Sequence, residues 1–422
     1  MVLALVLFLV TYAALMIFSK YRAHIALTSA VLFVVLGILP VQKVFGAVDW
    51  NVIMMIAGTM GIVYLFIESK MPSLLADIII QRMPSVKWII IALALFAGII
   101  SAFVDNVATV LMVAPVALVV AKKLNISPVP AIIAIAISSN LQGAATLVGD
   151  TTSILLGGYA GMDFLDFFVY KGHIGLFWVV QAGAILSAIT LMFVFRHYGQ
   201  KVKMEDRTVV TDYFPTVLLV GRVLMLIFVS FIPNRPHITN GLICIGLMLV
   251  GIVREAFIRK DFKATFTQTL KEIDWFTLLL LAGLFIVIAG ITEAGVVNEI
   301  AKLFVKISSG NLFAIYSLLV WASVLLSAFI DNIPYVATML PVTAGIASLM
   351  GVDPTILYFG LLCGATLGGN LTPIGASANI TALGILRKNG YEASTGEFMK
   401  ISVPFTLTAV ISGYIMVWLI WM

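Results

Sequence analysis

The chain has 422 residues, of which 62% are Ala, Val, Ile, Leu, Met, Phe, Trp, Tyr or Cys and only 11% are charged, with a formal net charge of +5. A soluble domain carries roughly 25% charged residues, so this composition excludes an ordinary soluble enzyme, a nucleic-acid binder and a disordered chain. In so apolar a chain (mean hydropathy +1.12) the surplus of Lys and Arg reports topology before it reports an anionic partner.

Apolar stretches follow one another from end to end. The first, residues 2–18, is followed by Ser19-Lys20-Tyr21-Arg22. A cleaved leader carries its positive charges ahead of the apolar run, so this is expected to be a retained span. Further spans are predicted at 24–41, 51–68, 128–147, 174–195, 214–232, 238–253, 275–292, 354–371 and 402–421, making ten. Two stretches, 88–120 and 311–350, are roughly twice a bilayer's width. Each is broken by an Asp-Asn pair, Asp105-Asn106 and Asp331-Asn332. Such a pair is costly against lipid but tolerated at a turn inside the protein, so both stretches are predicted to be re-entrant hairpins. With the 19–24 loop in the cytoplasm, alternation places nineteen of the 25 Lys and Arg inside and five outside, with Arg222 within a span. That asymmetry supports the topology, with both termini outside and a prokaryotic inner or plasma membrane as the expected location. Cys244 and Cys363 lie in apolar stretches and read as small buried hydrophobes.

The two halves of the chain match at an offset of 225–226 residues. Asp49-Trp50 matches Asp274-Trp275, Ser101–Asn106 matches Ser327–Asn332, and Pro115 matches Pro341. Gly143, Thr146 and Gly149 match Gly369, Thr372 and Gly375. Four matches in one order mean a duplication. The expected organisation is a first repeat over 1–195, a cytoplasmic linker over 196–213 and a second repeat over 214–422. Five crossings per half put the second repeat in upside down. The fold class is thus an all-α polytopic membrane protein with inverted five-span repeats, each with a re-entrant hairpin and an interrupted helix, the signature of a secondary transporter.

The polar groups collect in two kinds of place. Asp105, Asn106, Asp331 and Asn332 stand at the hairpin tips, where they also suit tight turns and helix caps. The helix breaks are read at 143–153 and 368–379. The first offers Thr146, Gly149, Asp150, Thr151, Thr152 and Ser153, and the second Asn370, Thr372, Gly375, Ser377 and Asn379. Freed carbonyls and hydroxyls suit a hard cation, whereas half-helix N-termini suit an anion. Asp150 is matched by Ala376, which leaves three carboxylates, Asp105, Asp150 and Asp331, as candidates for proton coupling. No Lys or Arg occurs in either tip or break, and Arg222 is read as a partner of one carboxylate or a snorkelling residue. This balance favours a cation, a proton-coupled cycle or a neutral hydroxylated solute. An aspartyl-dyad enzyme would need two carboxylates sharing a proton, but it requires neither the duplication nor the hydroxyl-rich breaks. A channel is the remaining alternative.

The segments Ser101–Pro115, Ser139–Gly158, Ser327–Pro341 and Gly364–Asn379 resemble the ArsB/NhaD permeases of the ion transporter superfamily, which include arsenite-efflux permeases, sodium/proton antiporters and the melanosomal P protein. The resemblance implies a homodimer, elevator-like alternating access, and a small inorganic ion or solute bound between tips and breaks. It implies Na⁺ near Asn106 and Asn332, with Na⁺ or H⁺ as coupling ion and no other cofactor. A soluble ATPase partner is implied for an arsenite permease. The related sodium/dicarboxylate symporters carry Ser-Asn-Thr tips, where this chain has Asp-Asn-Val and Asp-Asn-Ile. The reading is Na⁺/H⁺ antiport or arsenite efflux, with Na⁺-coupled uptake of a carboxylate or other anion as the alternative.

Overall fold

The computed structural model describes residues 1–200, 208–210 and 212–422. These form twenty α-helices and one short ribbon, Val169–Tyr170 against His173–Ile174. The first ten helices are α1 (Val2–Ile17), α2 (Arg22–Val35), α3 (Val41–Ala47), α4 (Trp50–Glu68), α5 (Met71–Ile80), α6 (Val86–Ser101), α7 (Asn106–Leu124), α8 (Val129–Gly143), α9 (Thr151–Ala160) and α10 (Leu176–Val194). The second ten are α11 (Phe214–Ser230), α12 (Thr239–Arg259), α13 (Phe262–Glu272), α14 (Trp275–Glu293), α15 (Val296–Ile307), α16 (Leu312–Ser327), α17 (Asn332–Met350), α18 (Thr355–Gly368), α19 (Ser377–Lys388) and α20 (Thr395–Trp421).

Equivalent helices begin and end on equivalent chemistry. Asp49 and Asp274 cap α4 and α14, each accepting from a backbone N–H at 3.1 Å. Asp105 and Asp331 cap α7 and α17. Asn125 and Gly351 close those two helices in the left-handed conformation. Pro115 and Pro341 lie inside them at matching positions.

The ten predicted crossings all appear as helices, but α1, α2, α8, α11 and α18 have only 14–17 residues. For α8 and α18 the reason is the predicted break: the α-helix stops at Gly143 and Gly368 and resumes as α9 and α19. Among the described residues, seven helices are long and apolar enough to cross a membrane alone, α7 and α17 among them. Length does not separate crossings from hairpin arms, whereas the buried Asp-Asn cap at the start of α7 and α17 does. Helix α12 runs to Arg259, beyond the predicted 253, and α20 starts at Thr395 instead of 402. Hydropathy marks the part at hydrocarbon depth, while backbone hydrogen bonds carry the helix on into water. Of the predicted linker, Lys201, Lys203 and Arg207 lie outside the described residues. Its flanks are tied down: Lys87 N–H donates to the Tyr198 carbonyl at 2.8 Å, and Arg254 pairs with Asp212 at 2.5 Å.

The helices pack as two interlinked groups. In one, α4 lies on α12 and α14 on α2. Gly58 meets the Cys244 backbone and Gly283 the Ala26 backbone so closely that a Cβ would come within 2.4 and 2.7 Å of a carbonyl carbon. Small residues let helix backbones approach this closely. In the other group α6, α8 and α10 interleave with α16, α18 and α20. There α19 lies against α7 and α8, and α9 against α17. Each helix resumed after a break therefore packs on the hairpin of the opposite half.

Candidate functional site

Each hairpin is fastened to the break that follows it. The Thr146 hydroxyl donates to the Ala102 carbonyl, and the Thr372 hydroxyl to the Ala328 carbonyl. A Cβ on Gly149 would lie 2.6–2.9 Å from the carbonyl oxygens of Gly143, Ser101 and Ala102. A Cβ on Gly375 would lie 2.6–2.8 Å from those of Gly369, Ser327 and Ala328. Only glycine allows this approach. The carbonyls freed at the breaks find partners in the same windows. Ser153 Oγ donates to Gly143 O at 3.3 Å, and Asn379 Nδ2 donates to Gly369 O and Thr372 O, both at 3.1 Å.

A buried amide chain joins the halves. Asn106 Nδ2 donates to Asn140 Oδ1 at 2.9 Å. Asn140 Nδ2 donates to Thr366 O at 2.7 Å and Asn370 Oδ1 at 3.1 Å, and Asn370 Nδ2 donates to Ile137 O at 2.8 Å. Thr152 Oγ1 donates to Asp150 Oδ2 at 3.1 Å and lies 3.0 Å from the Thr366 hydroxyl. Thr146, Gly149, Thr152, Ser153, Asn370, Thr372, Gly375 and Asn379 therefore build the frame.

Asp105, Asn106, Asp150, Thr151, Asn332 and Ser377 converge on one cavity of about 230 Å³. Its other wall comes from Tyr64 and Ile67 of α4 and from Glu272, Asp274 and Thr277 around the start of α14. Among the described residues, no Lys or Arg lines it. Asp105 Oδ1 accepts from Val107 N–H at 3.0 Å and Ala108 N–H at 3.2 Å. Asp150 Oδ1 accepts from Thr151 N–H at 2.7 Å. Asn332 is 3% exposed, and its Nδ2 has no acceptor among the described residues. Its counterpart Asn106 is satisfied by Asn140, whereas the position equivalent to Asn140 in the second half is Thr366. A second cavity, of about 1100 Å³, lies at the opposite ends of α4 and α14, between Asp49 and Trp50 and Thr292 and Glu293.

Two arginines correct the sequence reading. Asp331 is not one of three equivalent free carboxylates. Arg22 Nη1 stands 3.1 Å from Asp331 Oδ2, so the second tip does carry a fixed cation. Among the described residues Arg222 pairs with no carboxylate, and it does not snorkel. It is fully buried, with Nη1 donating to Thr59 Oγ1 at 2.6 Å and Nη2 to the Phe103 carbonyl. Arg22 was missed because a Lys/Arg-rich loop beside a span reads as topology. Asn140 lay within a quoted motif, one residue from Ser139, and its polarity in an apolar helix was the usable signal.

Paired hairpin tips meeting paired helix breaks across a helical bundle define a membrane transporter of the inverted-repeat class. The sequence matches the CitMHS profile, described as a citrate transporter, over residues 12–364. The chain belongs to that family, within the ion transporter superfamily, and is a secondary transporter. The 46 kDa membrane protein of Mycobacterium leprae is 34% identical over 435 residues, covering 99% of this chain and 98% of that protein. An uncharacterized transporter of Mycobacterium tuberculosis is 32% identical over 433 residues, covering 99% and 98%. The human P protein is 26% identical over 446 residues, covering 87% of this chain and 53% of P protein. In fold, the YdaH transporter of Alcanivorax borkumensis has a TM-score of 0.60 at 15% identity, covering 95% of this chain and 97% of YdaH. MtrF of Neisseria gonorrhoeae, of a class of antimetabolite efflux pumps, has a TM-score of 0.57 at 15% identity, covering 89% of this chain and 82% of MtrF.

Proposed function

We propose that this secondary transporter exchanges protons for a small inorganic cargo, a cation or a neutral hydroxylated species, as in Na⁺/H⁺ antiport or arsenite efflux. The observation that carries the reading is the acid-lined cavity. Asp105 and Asp150 face it with Glu272 and Asp274, without a basic side chain in its wall among the described residues. Like charges in a low-dielectric site are relieved by a proton or a cation, and exchanging one for the other is the antiport step. Na⁺ would sit beside Asn106, among the oxygens of Asp105, Asp150 and Thr151, since the hairpin carbonyls already contact Gly149 and Gly375. The Asn332 N–H would hold an oxygen of a hydroxylated cargo.

Two features support elevator-like alternating access. The cavity lies at the ends of α4 and α14 that the Lys and Arg distribution assigns to the cytoplasm, and the larger cavity lies at the outer ends. The second tip reaches Arg22, at the start of α2 beside the loop read as cytoplasmic, although its hairpin is read as entering from outside. Both support reading the tips as inward-displaced, in a cytoplasm-open state. A homodimer, with a soluble ATPase if arsenite is the cargo, belongs to the same proposal.

The family name favours a second reading, a carboxylate such as citrate. In this cavity its charge would need co-bound cations, which makes Na⁺-coupled symport the form it would take. Proteoliposomes holding a pH dye separate the two when Na⁺, Li⁺, arsenite or citrate is added outside in turn. The proposal expects proton movement with an alkali cation or arsenite. Movement with citrate plus Na⁺ alone would replace it with the second reading.

A further inference from the structure

The two tips share a motif but not a charge. At the first, Asp105 uses Oδ1 as a helix cap, and its carboxylate lines the cavity. At the second, Oδ1 of Asp331 caps Ile333 N–H at 3.1 Å, and Oδ2 accepts from Ser377 Oγ at 3.0 Å and from Arg22 Nη1 at 3.1 Å. Both oxygens are engaged, and Asn332, Ile333 and Ser377 line the cavity where Asp331 does not. The ion pair is shielded, its side chains 14% and 7% exposed, and so is screened by solvent far less than a surface pair. Arg22 is itself aimed: its Nε donates to Leu15 O at 3.2 Å, at the end of α1. Tyr12 of the same helix donates to Pro334 O at 2.8 Å and contacts the Thr338 hydroxyl. Thus Tyr12 of α1 and Arg22 at the start of α2 together hold the first turns of α17.

We propose that Arg22 is a positioning residue that withdraws Asp331 from the cargo site, so that the site works with Asp105 and Asp150 and Arg22 sets how many charges are exchanged per cycle. This rests on the proton-exchange reading above. An unpaired Asp331 would join the carboxylates that trade a proton for cargo, taking the proton up from one side and releasing it to the other.

The test compares wild type, Arg22→Gln, Asp331→Asn, the double variant and Arg22→Lys in proteoliposomes, measuring proton and cargo flux together with the solute that drives the wild type. Arg22→Gln is expected to raise the ratio by about one proton per cargo, with the double variant and Arg22→Lys returning to the wild-type ratio. An Arg22→Gln ratio equal to wild type overturns the proposal. If the wild type moves no protons with any of the four solutes, the transport reading itself fails. The same five proteins in detergent then decide the Arg22 claim through a double-mutant cycle on melting temperature. Non-additive shifts uphold the pairing, and additive shifts overturn it. If Arg22→Gln does not fold, Arg22→Met, alone and combined with Asp331→Asn, gives the same cycle.

Discussion

At Asn140 a single side chain holds three others in place: the Asn106 amide, the Asn370 carbonyl oxygen and the Thr366 backbone. Removing one partner of a buried hydrogen bond costs about 1–3 kcal/mol per group left unsatisfied. Asn140→Ala is therefore expected to lower the melting temperature in detergent and to slow transport, because Asn106 loses its anchor at the tip. An unchanged melting temperature would mean that the amide chain bears no weight. The glycines make a sharper case. Gly149→Ala and Gly375→Ala each drive a methyl group into three carbonyl oxygens, and overpacking costs about 1–3 kcal/mol. Both should melt below Gly246→Ala, whose Cβ meets nothing within 4 Å. Equal melting of the three variants would contradict the tight seam between hairpin and break.

The elements most legible in the sequence were those whose breaks are written in residue chemistry. Asp105-Asn106 and Asp331-Asn332 marked the tips, and the glycines after Gly143 and Gly368 marked the breaks. Short amphipathic helices such as α3 and α13 were not legible, since seven and eleven residues make too short a pattern. Nor was the reach of one half into the other. Arg22 meets a carboxylate 309 residues away, and Arg222 meets Phe103 on the hairpin of the first half. Periodicity reports which face is buried, not which distant chain covers it. Arg222 links α11 to both Thr59 of α4 and the first hairpin, so under the proposed elevator-like cycle it would tie elements that move relative to one another. Removing this charge relieves the cost of burying it, which offsets the about 1–3 kcal/mol for the Phe103 carbonyl left without a donor. Arg222→Met should keep its melting temperature within a few degrees, about 1 kcal/mol, while its transport rate changes several-fold. A large loss of stability with normal transport would make Arg222 a packing residue only.

For the whole molecule, the two cavities at opposite ends of α4 and α14 make orientation testable. The native cysteines, Cys244 and Cys363, are both buried, so an introduced cysteine labels over a low background. Thr277→Cys lines the smaller cavity and Thr292→Cys the larger. With a membrane-impermeant maleimide, Thr277→Cys is expected to label from the cytoplasmic face and Thr292→Cys from the outer face. The reverse pattern would invert the topology read from Lys and Arg, and labelling of both from one face would break the assignment of opposite cavities.

The central claim is that Asp105 and Asp150 carry the exchanged charge. It is tested most directly by proton flux into vesicles bearing wild-type, Asp105→Asn or Asp150→Asn protein, driven by Na⁺, Li⁺, arsenite or citrate. Solute-driven flux is expected in the wild type and its loss in both variants, with melting temperatures near wild type. Flux that persists in both variants would contradict it and move the coupling site away from the cavity between the tips.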